Sequence, residues 1–291
     1  MSNKKKILVV QKIHEAGMKL IISNPKYEFE IIDVEEMVEK IDINLFKKKI
    51  VDCDAISIRT EKLPGEVIEC AKKLKVISRH GVGYDNIDLN TTKKNNITLA
   101  ITAKANAIAV AEHVMFMLLS ISKGKNMYDN SVKSGRFADR NKLPKTIELW
   151  NKNILIVGFG RIGQCLIKRC LGFEMKVNIF DPFVNEKIIN SFGGTKVDKL
   201  ENAIKTADFV SLHIPFNKDT KDLINLKVLK TMKRNSILIN TARGGVINEK
   251  DLNLALNDKI IFAAGLDVFE NEPPDIQNPL LTNERVLLSP H

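Results

Sequence analysis

Short apolar runs recur along the chain, and most are followed by a stretch with helical spacing. In the first hundred residues the runs are 7–10, 29–32, 55–58, 75–78 and 97–99, with helical patterns at 14–23, 43–49 and 65–74 among them. That alternation predicts a small parallel sheet covered by helices. A second series, 153–157, 176–180, 208–212, 236–240, 262–266 and 286–288, has helical stretches between its runs and predicts a complete doubly wound domain of six strands. Between the series lie 105–122, apolar on nearly every side but for Glu112 and His113, and the polar stretch 123–151. The pattern as a whole predicts an α/β protein of two parallel-sheet domains, residues 1–101 and 102–291.

The second series opens on Gly158-Phe159-Gly160-Arg161-Ile162-Gly163, directly after an apolar run and at the start of a helical stretch. The first glycine of such a turn permits the tight bend, the second lets backbone approach a pyrophosphate, and the third lets helix pack on strand. The helix start offers unpaired N–H groups and partial positive charge to phosphates. Such a glycine pattern alone is a weak signal. Here the next run ends in Asp181, about 20 residues on, where an acid meets the ribose hydroxyls. The context required for a dinucleotide site is therefore complete. No such loop follows the first strand of the first domain, which is not expected to bind a dinucleotide in the usual way.

Composition narrows the classes. Hydrophobic residues at 44% and charged residues at 27% describe a globular chain with material for two cores. The formal charge of +10 comes mostly from lysines scattered along the chain. Nucleic-acid binding would gather basic residues on one face with aromatics between them, and the dense runs at 4–6 and 47–49 do not, so no nucleic acid is expected. A positive surface does draw small anions inward. The four cysteines, Cys53, Cys70, Cys165 and Cys170, form no metal-ligand spacing and read as reduced core thiols, which points to the cytoplasm and to no metal. The run at 7–10 is too short for a signal-peptide core, and the interrupted 105–121 stretch falls short of a membrane span. A helix with so little polar face is expected to be buried, in a subunit interface or between domains.

Ligands of open α/β sheets bind beyond the carboxyl ends of the strands. The residues that follow those ends are Arg79-His80-Gly81-Val82-Gly83-Tyr84-Asp85-Asn86-Ile87-Asp88, Thr241-Ala242-Arg243-Gly244-Gly245, Asp267 through Pro273, and Ser289-Pro290-His291. An arginine, an acid and a histidine so placed in one sheet can bind an anion and move a proton. In these motifs, and from about residue 50 to the last residue, the chain resembles the D-isomer-specific 2-hydroxyacid dehydrogenases, the family of D-3-phosphoglycerate, glycerate and D-lactate dehydrogenases. The resemblance implies a flavodoxin-like substrate domain followed by a Rossmann NAD-binding domain. It also implies hydride transfer between NAD and C2 of a small 2-hydroxy or 2-keto acid.

Residue by residue, the resemblance makes Arg243 the holder of the substrate carboxylate, His291 the general acid/base and Glu272, before Pro273, the acid that supports the protonated imidazole. Glu270 is its near neighbour and rival, and His80 is the competing proton carrier. His14 and His113, within helical patterns, read as surface or packing residues. The cofactor positions are Gly158, Gly160, Arg161, Ile162, Gly163, Asp181, His213, Ile214, Pro215, Thr241, Ala242 and Asp267. Residues 182–184 offer no arginine to offset Asp181, which favours NAD over NADP. Arg59, Arg79, Val82 and Gly83 match the substrate pocket, Val82 and Gly83 through their N–H groups.

The resemblance points most closely to the phosphoglycerate-dehydrogenase-like branch. Glyoxylate or hydroxypyruvate, D-lactate and sulfonated hydroxyacids are the alternative substrates, and an NAD-binding regulator without turnover is the alternative class. Formate dehydrogenases carry glutamine where this chain has Glu272. A homodimer is expected around 105–122. Family members continue past the histidine into a loop and a returning helix, so a chain ending at His291 is expected to differ in activity more than in fold.

Overall fold

The computed structural model, which describes residues 4–34 and 41–291, divides into two units, Met1–Asn106 and Ala107–His291. In the first unit the strands are β1 (Lys5–Val10), β2 (Tyr27–Ile32), β3 (Ala55–Ile58), β4 (Val76–Arg79) and β5 (Thr98–Ile101). All pair in parallel, in the order β2-β1-β3-β4-β5, which is the flavodoxin-like arrangement. The helices are α1 (Glu15–Ile22), α2 (Ile43–Ile50), α3 (Gly65–Cys70) and α4 (Leu89–Lys94). Asp42 caps α2 by accepting from Leu45 N at 2.8 Å, and Asp88 caps α4 by accepting from Thr91 N at 2.7 Å. Leu8, Val10, Ile56, Ile58 and Ile77 of the strands meet Phe46 and Ile50 of α2 and Val67 and Ile68 of α3 in one core.

The second unit holds β6 (Asn153–Val157), β7 (Lys176–Phe180), β8 (Thr195–Lys196), β9 (Phe209–Leu212), β10 (Ile237–Asn240), β11 (Ala263–Leu266) and β12 (Val286–Leu288). Its seven strands run parallel in the order β12-β11-β10-β9-β6-β7-β8, the Rossmann order with one strand added at the β11 side. Strand β8, absent from the sequence expectation of six, pairs Thr195 and Lys196 with Asn178 and Ile179. Its two residues are too few to show a period. The helices are α5 (Ala107–Ser122), α6 (Lys125–Lys133), α7 (Arg161–Gly172), α8 (Glu186–Ser191), α9 (Leu200–Thr206), α10 (Leu226–Leu229) and α11 (Glu249–Asn257).

Both faces of this sheet are apolar. Ile154, Ile156, Ile237 and Ile239 face the core shared with α5 and α7, whereas Leu155, Val157, Val210 and Leu238 face the core shared with α9 and α11. Helix α5 is thus a core helix of its own unit, which accounts for most of its apolar surface. Ala111, Val114, Met115, Met117 and Leu118 are buried, Ile108 and Phe116 stay exposed, and Glu112 pairs with Arg169 of α7 at 2.7 Å. Among the described residues no single helix is long and apolar enough to cross a membrane.

Candidate active site

The turn after β6 is held by contacts that admit only glycine. Gly158 has φ +96°, and a Cβ there would lie 2.5 Å from His213 O. A Cβ on Gly163 would lie 2.6 Å from Gly158 O, so the third glycine is what seats α7 on the sheet. Gly160 is different: a Cβ would meet nothing within 4 Å. It caps α7 with no side-chain hydrogen bond, and Gln164 N is bonded to Gly160 O at 3.0 Å. The N–H groups of Arg161, Ile162 and Gly163 therefore stand ahead of the helix's own ladder, on its positive end.

Beside the turn, Asp181 Oδ2 accepts from Phe159 N at 2.8 Å, and Oδ1 accepts from Phe183 N and Val184 N at 2.8 and 3.1 Å. Three of about four acceptor positions of the carboxylate are filled, leaving room for a further donor. His213 follows β9. Its Nε2 lies 2.8 Å from Ser211 Oγ, its Nδ1 is buried without a partner, and burial pushes the imidazole down to about 4. Thr241, after β10, likewise has a buried hydroxyl without a partner. Ile214 packs on the core beside Gly158, and Pro215 O accepts from Thr220 Oγ1 at 2.7 Å.

At the carboxyl ends of β10, β11 and β12 the remaining motifs converge. Arg243 Nη1 donates to Ala242 O at 2.7 Å. His291 Nδ1 and Glu272 Oε2 lie 2.7 Å apart, and Glu272 Oε1 accepts from Phe269 N at 3.0 Å. Burial alone would raise Glu272, but the hydrogen bonds from His291 and Phe269 N, with the charges of His291 and Arg243, hold it below the ordinary glutamate value. The bond to Glu272 raises His291 above the ordinary histidine value, against burial and the Arg243 charge. Glu270 is exposed and its N–H is bonded to Glu249 Oε1 at 2.5 Å; it is Glu272 that meets the histidine.

In the first unit, Asn86 Nδ2 donates to Arg59 O and Glu61 O at 3.1 and 2.7 Å, tying the 81–88 loop to the turn after β3. Gly81 O accepts from Thr102 N at 3.1 Å, and Arg79 donates to His80 O. Among the described residues, the N–H groups of Val82 and Gly83 make no hydrogen bond. His80 N is bonded to Ile58 O at 2.8 Å, and His14 caps α1 through Nδ1.

Residues 115–291 match the family model described as "D-isomer specific 2-hydroxyacid dehydrogenase, NAD binding domain". The chain is 38% identical to D-3-phosphoglycerate dehydrogenase of Methanocaldococcus jannaschii over 288 residues, which cover 98% of this chain and 53% of that protein. It is 33% identical to glyoxylate reductase of Korarchaeum cryptofilum over 291 residues, 99% of this chain and 86% of that one. The chain belongs to the D-isomer-specific 2-hydroxyacid dehydrogenase family. It spans about half the length of the D-3-phosphoglycerate dehydrogenases it matches, at 53%, 45% and 53%. Among solved structures it is similar to NAD-dependent formate dehydrogenase from Staphylococcus aureus in complex with NAD, with a TM-score of 0.81 and 26% identity over 98% of this chain and 87% of that one.

The residues of this family member fit NAD. An open cradle at Gly160, uncapped N–H groups on α7, spare acceptor capacity on Asp181 and orphaned polar atoms on His213 and Thr241 lie along the carboxyl edge of one sheet. Two residues of the Arg243 motif that carried no role in the sequence reading shape its loop. Asn240, 1% exposed, donates from Nδ2 to Arg243 O at 2.9 Å and accepts from Ala242 N at 3.0 Å, so its side chain moulds the loop that carries Arg243. Gly244 lets that loop touch the next: a Cβ would lie 1.9 Å from Phe269 C. His113, read as surface or packing, instead places Nε2 2.8 Å from Ser289 Oγ and 3.5 Å from Asp267 Oδ1. Helical spacing puts a residue on a face but cannot show which loop that face meets. Among the described residues no group of His, Cys, Asp and Glu could hold a metal ion.

Proposed function

We propose that this protein is an NAD-dependent D-2-hydroxyacid dehydrogenase of the phosphoglycerate-dehydrogenase-like branch. The observation that carries the reading is the His291–Glu272 pair, 2.7 Å apart, with the Arg243 charge acting on both. Because Nδ1 is engaged by Glu272, Nε2 is the nitrogen that gives a proton to the substrate's 2-oxygen in reduction and takes it back in oxidation. Arg243, its guanidinium steadied by Ala242 O, holds the substrate carboxylate and polarises the 2-keto group. NAD(H), when bound, accepts or supplies the hydride at C2. Thr241, Ala242, His213 and Asp267 hold its nicotinamide half, the α7 start its pyrophosphate and Asp181 its ribose. In the first unit, the N–H groups of Val82 and Gly83 and the side chains of Arg59 and Arg79 are the proposed substrate contacts.

The 38% identity to a D-3-phosphoglycerate dehydrogenase supports that branch, and the 33% identity to a glyoxylate reductase supports glyoxylate or hydroxypyruvate as the second reading. We further propose a homodimer formed around α5, whose Ile108 and Phe116 are 57% and 54% exposed. A cytoplasmic setting is in keeping with the free thiols of Cys53 and Cys170, which burial pushes up to about 11 and about 12.

A screen of phosphohydroxypyruvate, hydroxypyruvate, glyoxylate and pyruvate with NADH tests the function. Turnover of phosphohydroxypyruvate above the rest is expected. Tight NADH binding without turnover of any of them would replace the enzyme with a regulator. A monomeric mass by light scattering at micromolar concentration would remove the dimer.

A further inference from the structure

The ends of β11 and β12 and the first half of α5 are joined by a polar chain that the family motifs do not contain as a unit. Ser289 Oγ donates to Asp267 Oδ1 at 2.5 Å. A serine hydroxyl has one proton, so toward His113 the same oxygen can only accept. The 2.8 Å contact to Nε2 is therefore a bond donated by His113, which fixes its tautomer as Nε2–H. The ring also stacks on Phe116, at 5.7 Å between centroids and 25° between planes. The His113 and Asp267 side chains are 31% and 15% exposed. The middle member of this polar chain and its carboxylate end are pinned by backbone: Ser289 N donates to Leu266 O and Asp267 N to Asn240 O, each at 3.0 Å.

We propose that His113, acting through the Ser289 hydroxyl, is a positioning residue that fixes the Asp267 carboxylate for the nicotinamide half of NAD. In this chain His113 donates to the Ser289 hydroxyl, which donates to Asp267 Oδ1, and Oδ2 is left without a hydrogen bond among the described residues. A hydroxyl donated to a carboxylate at this separation is a short, charge-assisted bond. It takes rotational freedom from a side chain that would otherwise turn about its own axis beyond the end of β11. Asp267 also acts electrostatically on His291, so its placement bears on the proton carrier as well as on the cofactor. The inference rests on the dehydrogenase reading for its consequence in catalysis, and on the cofactor domain alone for its consequence in binding.

NADH fluorescence titration on the whole chain tests it, with His113→Phe, Ser289→Ala, their combination and Ser289→Thr. Phenylalanine keeps the stack on Phe116 and removes the N–H, and unchanged thermal melting without cofactor reports that the fold survives. We expect His113→Phe and Ser289→Ala each to weaken NADH binding by roughly threefold to thirtyfold. The double variant should be no weaker than the worse single one, because both remove the same chain. Ser289→Thr, which retains the hydroxyl, should bind within about twofold of the unmodified protein. Wild-type affinity in His113→Phe, losses that multiply in the double variant, or a Ser289→Thr as weak as Ser289→Ala would overturn the proposal. A protein that turns over no 2-keto acid while its NADH affinity follows the expected pattern would sink the dehydrogenase reading and leave this inference standing.

Discussion

Each unit starts with a central strand that runs into a turn and a helix beside the point where its strand order reverses, yet the two turns are built from opposite materials. After β1 the chain places Gln11, 2% exposed and at φ +65°, whose Oε1 accepts from Thr60 N and Glu61 N at 2.9 and 3.2 Å and whose Nε2 donates to Thr60 Oγ1 at 3.1 Å. His14 then caps α1, accepting from Ala16 N at 3.2 Å. After β6 the chain places Gly158, also at positive φ, and Gly160 caps α7 with no side chain at all. The first turn consumes its own polar groups, and the second leaves its helix start to a ligand. Two sheets of one general topology thus differ in what they can bind because of the side chains at one bend.

On the proposed function the redox chemistry falls to the second unit, and the largest expected effect tests that. His291→Ala should cut turnover by roughly 10²–10⁴, with NADH affinity retained in fluorescence titration. Gln11→Ala should leave NADH affinity unchanged. A fall in NADH affinity in the Gln11 variant would break the contrast.

The glycine turn sharpens it further. Gly158→Ala should lose NADH binding and cost roughly 1–3 kcal/mol of stability, since its Cβ meets His213 O and its φ is unfavourable. Gly160→Ala should also weaken NADH binding, yet melt as the unmodified protein does, because a Cβ there meets nothing within 4 Å. Equal melting temperatures for the two variants would mean that the turn is not shaped for a ligand. Gln11→Ala should cost roughly 1–3 kcal/mol through buried N–H groups left unpaired, measured by urea unfolding.

Asp181→Ala should narrow the preference for NADH over NADPH in paired titrations. It should also lower the melting temperature, because the carboxylate holds three N–H groups of its own unit. Equal affinities for the two cofactors in the unmodified protein would remove the ribose role.

The smallest effect is a pH shift. His291 is raised by its bond to Glu272, so that share of stability is full below the ordinary histidine value near 6.5 and lost as pH rises through the raised value. Glu272 is lowered, so its share is full above the ordinary glutamate value and lost as pH falls through the lowered one. The pair therefore stabilises most between these limits. Glu272→Gln should flatten that maximum in melting curves taken across pH and move the limb of the reductive rate to lower pH. An unmoved limb would make Glu272 structural.

Much was legible from residue order alone, for local physical reasons. Runs bounded by helical stretches announce a parallel α/β chain because strand and helix periods are properties of neighbouring residues. The glycine turn with Asp181 beyond it declares a dinucleotide site because its chemistry lies within one strand-helix-strand unit. What needed the tertiary structure was every relation between segments far apart in the chain. The pairing of Thr195 and Lys196 with Asn178 and Ile179 made a strand of two residues that have no period of their own. Packing against α7, β10 and β11 put one face of α5 into the core of its own unit. The fold also brought His113 to Ser289 across 176 positions of sequence. A hydrogen bond depends on distance and direction in space, and only the closed sheet supplies them.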